Sequence, residues 1–84
     1  MMNKDLPPWS EAAQQFKPGV YRHFKGNEYT AVHLAHHSET FEESVVYHHG
    51  DLAQGVWVRP LAMWNEEINR DGYQGPRFKF IREV

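Results

Sequence analysis

Short runs of β-branched and aromatic residues, most of them separated by turns of only a few residues, constrain this chain more than any other feature. Val20 to Phe24, Glu28 to His36, Ser44 to His49, Val56 to Arg59 and Pro76 to Ile81 each read as a strand. Lys25-Gly26-Asn27, the stretch from Gly50-Asp51 to Gly55, and Asp71-Gly72 supply turn residues between them. Turns that short join antiparallel neighbours and leave no room for parallel crossovers. Five strands within about 65 residues predict a mostly β fold, a small antiparallel barrel or curled sheet. Pro60 ends the fourth strand, and Leu61 to Ile68 reads as one helical or 3₁₀ turn or an irregular edge strand.

In the second strand Thr30, Val32 and Leu34 alternate with Tyr29, Ala31, His33 and Ala35, the period of a strand with one apolar face. The expected core is Val20, Val32, Leu34, one of Val45 and Val46, Val56, Val58, Leu61, Met63, Phe78 and Phe80. The pattern leaves the buried face of the 44–49 strand open. Residues 1–17 stand apart as a leader, helical or disordered, before a β-domain over 18–84. Ser10 can cap a run of helix formers that Lys17-Pro18-Gly19 stops. Trp9, Ala13 and Phe16 recur at helical spacing and could pin that helix to the domain.

The length of 84 residues allows one domain. An aromatic content of 14% and a net charge of −2 favour folding over disorder. No cysteine is present, which removes disulfides, thiolate zinc sites and thiol nucleophiles. No apolar run approaches the ~18 residues that span a bilayer, and the N-terminus has no apolar h-region. The near-neutral charge disfavours duplex DNA and membrane surfaces as partners. The chain reads as a soluble, cytoplasmic small domain.

Four segments stand out together: PGVYRHFKGNEY (Pro18 to Tyr29), HSETFEESVVY (His37 to Tyr47), WVRPLAMW (Trp57 to Trp64) and PRFKFI (Pro76 to Ile81). In this order and spacing the chain resembles the small bacterial family named Domain of Unknown Function 1653, over about residues 18–81. Trp64 stands where the family pattern has Phe. The resemblance implies a small mostly β domain similar to SH3-like barrels, and it brings no established activity.

Three constellations could carry chemistry. The first is six histidines, His23, His33, His36, His37, His48 and His49, near Glu39, Glu42, Glu43 and Asp51. Strand alternation places His33 and His37 on one face and His36 on the other, and His48 and His49 point apart. No metal site and no cofactor is expected from that geometry. The second is His37-Ser38-Glu39-Thr40. Adjacent residues of an extended chain do not form a triad, and no nucleophile elbow is present. Hydroxyls bonded to the backbone of a tight turn explain it better, with Glu39 or Glu43 accepting from exposed amides.

The third is a cationic and aromatic set: Arg22, His23, Lys25, Tyr29, Tyr47, Trp57, Arg59 and Arg77. Trp57 and Arg59 share one face of their strand, and Val56 and Val58 the other. If the valines face the core, Trp57 and Arg59 face outward together, with Tyr29 opposite Val32 and Leu34 also outward. An exposed Trp beside an Arg can stack a base, a Pro-rich peptide or a methylated side chain, and the Arg can hold a carboxylate or phosphate. The competing reading ion-pairs Arg59 with Glu39 or Glu43 and packs Trp57 under the leader helix or the 61–68 segment. Lys25-Gly26 reads as a hairpin turn, not a phosphate loop.

The functional expectation is a non-catalytic binding module for a peptide or an RNA-type ligand. Its candidate contacts are Arg22, His23, Lys25, Tyr29, His37, Ser38, Glu39, Thr40, Glu43, Tyr47, Trp57, Arg59 and Arg77, with no catalytic residue. Two alternatives stay open: a small enzyme or accessory domain using His37, Glu39 and Arg59, and a structural oligomerisation module. The oligomeric expectation is a monomer or a weak homodimer.

Overall fold

The computed structural model describes residues 8–84, so the start of the leader lies outside the described residues. In chain order the elements are helix α1 (Glu11–Gln15), β1 (Gly19–His23), β2 (Glu28–His36), β3 (Glu43–His48), a 3₁₀ turn (Leu52–Gln54), β4 (Val56–Pro60), α2 (Leu61–Trp64), β5 (Glu67–Arg70), β6 (Tyr73–Pro76) and β7 (Phe78–Arg82). The fold is mostly β and antiparallel, with a five-stranded sheet in the order β4-β3-β2-β1-β7 and a two-stranded sheet β5-β6. β4 and β7 are the edges of the larger sheet, and no ladder closes it into a barrel among the described residues. The sheet nevertheless curls far enough to bring its edges together. The Arg59 guanidinium on β4 lies 5.5 Å from the centre of the Phe78 ring on β7. Within the ladder, the close approach of β1 to β7 needs Gly19, where a Cβ would stand 2.5 Å from the Arg82 carbonyl oxygen and 2.8 Å from the Phe80 ring.

The β5-β6 hairpin is an addition to the five expected strands. Its sequence has few β-branched residues, and the turn makes it. Asp71 (φ 53°) and Gly72 (φ 81°) both adopt the left-handed region that a two-residue hairpin turn requires, between the paired Arg70 and Tyr73. Ile68 is buried from this hairpin, and Tyr73 stacks on Phe24 at 5.6 Å.

The core differs from the expected set in three places. On β2, Ala31 pairs with Tyr47 and His33 with Val46, so a bulge falls at Val32. Ala31 is buried, and Tyr29 packs against the core. Beyond the bulge Leu34 also reaches it. On β4, Trp57 pairs with Tyr47 and Arg59 with Val45. Tyr47 and Val45 are buried, so Trp57 and Arg59 lie on the concave side, while Val56 and Val58 face outward, Val58 67% exposed. The valines therefore do not face the core, and Tyr29 does not lie outward. In α2, Leu61 and Trp64 share the inward side, and Met63 is exposed. Trp64 is only 1% exposed. Its ring stacks on Phe78 at 3.8 Å and 5°, and Tyr21 and Tyr47 close around it at 5.2 and 5.1 Å. This aromatic block fills the space that β4 valines would otherwise take. The open choice on β3 falls to Val45, which is fully buried.

α1 is held as the spacing of Trp9, Ala13 and Phe16 suggests. Ala13 is buried, Trp9 stacks on His36 at 4.1 Å and Phe16 on Tyr21 at 6.1 Å. The Ser10 hydroxyl accepts from the Ala13 N–H at 3.1 Å and donates to the Glu43 carboxylate at 2.6 Å, while the Ser10 N–H donates to Glu43 at 2.8 Å. A five-residue helix does not stand alone in water, so these contacts hold it. No helix among the described residues is long and apolar enough to cross a membrane.

Candidate functional site

The curl of the large sheet turns one face of β1 to β4 into a hollow. Tyr29, Tyr47, His49, Gln54 and Trp57 line a pocket of about 310 Å³ there. That volume is at the small end for ligand pockets and suits one flat ring. Trp57 is 56% exposed, so most of its indole is available. Its back rests on the loop before β4. Gly55 sits at φ 111°, and a Cβ there would touch the indole at 3.4 Å. The loop is shaped by Asp51, whose carboxylate accepts from the Ala53 N–H at 3.0 Å. His49 donates from Nδ1 to the Glu28 carbonyl at 2.8 Å, which sets its ring 5.2 Å from Tyr29.

Tyr29 joins this pocket to a second, cationic region. Its ring lies 5.9 Å from Phe78 and 6.4 Å from His23, and the His23 ring lies 4.9 Å from Phe78. His23 Nδ1 accepts the Lys25 N–H at 3.1 Å. Burial, followed by the charges of Arg59, Arg77, Lys25 and Arg70, holds the His23 imidazole below its ordinary pKa. The charges of four cations thus act on the His23 ring in a chain whose net charge is −2. Arg77 pairs with Glu66 at 2.7 Å. Arg59 has no ion pair among the described residues, and its Nε is buried without a hydrogen-bond partner, as is that of Arg77.

The expected pairing of Arg59 with Glu39 or Glu43 is thus not formed. Glu43 is engaged by Ser10, whose hydroxyl and then N–H hold the carboxyl below its ordinary range. Trp57 is not packed under α1 or α2.

Of the candidate residues, the concave side gathers His23, Tyr29, Tyr47, Trp57 and Arg59, with Lys25 and Arg77 near His23. Arg22 alternates to the other face and pairs with Glu28 at 2.8 Å. His37, Ser38, Glu39 and Thr40 form an exposed turn at the far end of β2, about 26 Å from Tyr29 along the strand. The turn satisfies itself. His37 Nδ1 accepts the N–H groups of Glu39 and Thr40 at 3.1 and 3.2 Å, and Thr40 Oγ1 accepts that of Glu42 at 3.2 Å. Arg59 points to Phe78, so His37, Glu39 and Arg59 are not assembled into one site. Among the described residues no three His, Asp or Glu side chains converge as metal ligands would.

His49 and Gln54 line the pocket, and Arg70 lies over the Phe24 ring at 5.0 Å. None was among the expected ligand contacts, and the sequence had pointed to His49 only as one of six histidines. His48 pairs with Thr30 and is bonded to the Gly50 carbonyl, which leaves His49 to turn inward. Only register separates the two. A larger hollow of about 660 Å³, lined in part by Phe16, Pro18, Thr30, Val32 and His48, gathers no comparable set of aromatic and cationic groups.

Fold and surface together define a class: a small antiparallel β domain with a concave aromatic and cationic face. The chain belongs to the family described as "Protein of unknown function (DUF1653)", whose model matches residues 19–80. A crystal structure of a DUF1653 protein from Bordetella bronchiseptica is similar, with 40% sequence identity, coverage of 86% of this chain and 95% of that one, and a TM-score of 0.76. No curated protein matches. The family resemblance carried by the HFKGNEY, HSETFEE, WVRPLAMW and PRFKFI segments is thereby established.

Proposed function

We propose that the curled sheet works as an open, SH3-like cradle for single-stranded RNA, without catalysis. One base stacks on Trp57 in the pocket walled by Tyr29 and Tyr47. The carrying observation is the unpaired Arg59 on the same concave face as the half-exposed Trp57. Base–aromatic stacking is worth about 1–3 kcal/mol per base, and neighbouring cations supply the salt-dependent part of affinity. A methylated lysine, the other common guest of aromatic pockets, is opposed here by the cations around His23. The acidic balance of the chain confines attraction for nucleic acid to this one cluster, which disfavours duplex DNA.

The test is a titration of short single-stranded RNA homopolymers at low salt, followed by tryptophan fluorescence. Saturable quenching that is lost in Trp57→Ala and falls steeply with salt is the expected result. Absence of binding to all four homopolymers, or binding only to an aromatic acidic peptide tested in parallel, would overturn the RNA reading.

A second reading has its own observation. Val56 and Val58 are exposed on β4, an edge strand whose outer backbone groups have no partner in the sheet. Pairing of two copies along β4 would cover both. Light scattering across a concentration series checks it, and a constant monomer mass would remove it.

A further inference from the structure

The cationic end of the hollow has a feature that base stacking alone leaves unused. Arg59 and Arg77 both bury a guanidinium Nε without a hydrogen-bond partner, and Arg59 has no carboxylate beside it among the described residues. A buried donor left unmade is costly, and a charged one more so. The Nε atoms are closed off by the fold, but the terminal nitrogens of Arg59 have neither a hydrogen bond nor an ion pair among the described residues, and a guanidinium edge of that kind suits a phosphate oxygen.

We infer that Arg59, His23 and Arg77 form a subsite for a backbone phosphate of the bound strand, and that His23 takes up a proton when the phosphate arrives. This rests on the RNA reading of the adjoining pocket and deepens it. The Trp57 pocket and the Arg59–His23 end share Tyr29 as a common wall, with Phe78 under the second, so ring and phosphate of one strand can sit in the two halves together.

The proton uptake follows from what faces His23. Lys25 comes from the β1-β2 turn, Arg59 from β4, Arg70 from β5 and Arg77 from just before β7. Glu66 is the one carboxylate paired within that group. Tyr29, Phe24 and Phe78 supply the remaining, uncharged walls. In the free protein burial and these cations keep the ring neutral at neutral pH, with a pKa below the ordinary 6.5. Bound phosphate offsets part of the local positive charge and raises that pKa. Linkage then requires affinity to rise as pH falls from the bound-state pKa to the free-state pKa, and to level off on either side. His23 Nδ1 accepts the Lys25 N–H, so the neutral ring carries its proton on Nε2. The added proton goes to Nδ1 and displaces the Lys25 contact, while the Nε2 N–H is free to donate to the phosphate.

The experiment compares two probes: a diuridine phosphodiester and its uncharged methylphosphonate counterpart. A diester has no ionisation near pH 6, so any pH dependence belongs to the protein. At pH 5.5 the diester should bind about tenfold tighter than the methylphosphonate, and the gap should narrow by pH 8. In the NMR spectrum of the wild-type protein the His23 ring should titrate at higher pH with the diester than without it. Arg59→Gln should remove the gap. His23→Asn, which keeps an acceptor for Lys25, should keep part of the gap and lose its pH dependence. Equal binding of both probes, quenched through Trp57, would overturn the phosphate subsite and leave the RNA reading standing. A gap that does not vary with pH, or a His23 titration unmoved by the diester, would overturn the proton uptake. Binding of neither probe at any pH would overturn both.

Discussion

Two regions of this molecule, the His37–Thr40 turn and the Trp57–Arg59 face, each carry polar groups in a conspicuous motif and use them in opposite ways. In the turn, the His37 ring and the Thr40 hydroxyl are consumed by backbone amides two or three residues away. On the concave face, Trp57 stands exposed, and Arg59 has neither an ion pair nor a partner for Nε among the described residues. A polar group satisfied by its own loop shapes the loop. A guanidinium without an ion pair beside an aromatic pocket keeps its terminal nitrogens for a ligand. The difference lies in which donors and acceptors remain after folding.

Four changes test that contrast, taken from the largest expected effect. Trp64→Ala removes the foundation of the hollow and should cost about 3–5 kcal/mol in urea unfolding. That is a large share of what a small domain holds in reserve, so both regions should loosen together. Trp57→Ala should cost about 1–3 kcal/mol of RNA affinity and leave the unfolding midpoint nearly unmoved. His37→Ala should do the converse. It removes an acceptor shared by two amides, costs about 1–2 kcal/mol of stability and leaves RNA affinity unchanged. Loss of RNA binding in His37→Ala with stability intact would break the contrast. Gly55→Ala should couple the two properties. Its φ of 111° strains any other residue, at about 1–2 kcal/mol, and a shift of the loop against which the indole rests should lower affinity along with stability.

The smallest effect concerns Glu43 at the docking of α1. Its carboxyl is held below the ordinary range by the Ser10 hydroxyl and N–H. A depressed carboxyl contributes stability above its unfolded-state pKa, and the contribution disappears as pH falls through the folded-state value. Acidification to below the ordinary carboxylate range should therefore loosen α1 first. Trp9, stacked on His36, should report it by fluorescence ahead of global unfolding. Glu43→Gln should abolish that early step.

Much of this architecture was legible before any coordinates. The positions of the five strands, the Asp71-Gly72 turn, the Ser10 cap and the Trp9, Ala13 and Phe16 spacing are local properties, and each found its place. The β5-β6 hairpin was not legible, because Glu67 to Arg70 and Tyr73 to Pro76 lack a strand composition. The inward side of β2 was misread because the bulge at Val32 shifts the parity that alternation assumes. Trp64 escaped the expected core because a four-residue helix shows too little periodicity to reveal its buried side.

Sequence alone determined that the fold is antiparallel and mostly β, which family the chain belongs to, and that Trp57 and Arg59 share a face. Alternation by two is intrinsic to an extended backbone and needs no partner. Which face that is, concave or outer, came only with tertiary structure. It depends on Trp64 and Phe78 arriving from elsewhere in the chain to fill the interior. The pairing of Arg59 was decided in the same way. Whether a guanidinium meets a carboxylate is set by residues distant in sequence, and Glu43 had already been taken by Ser10.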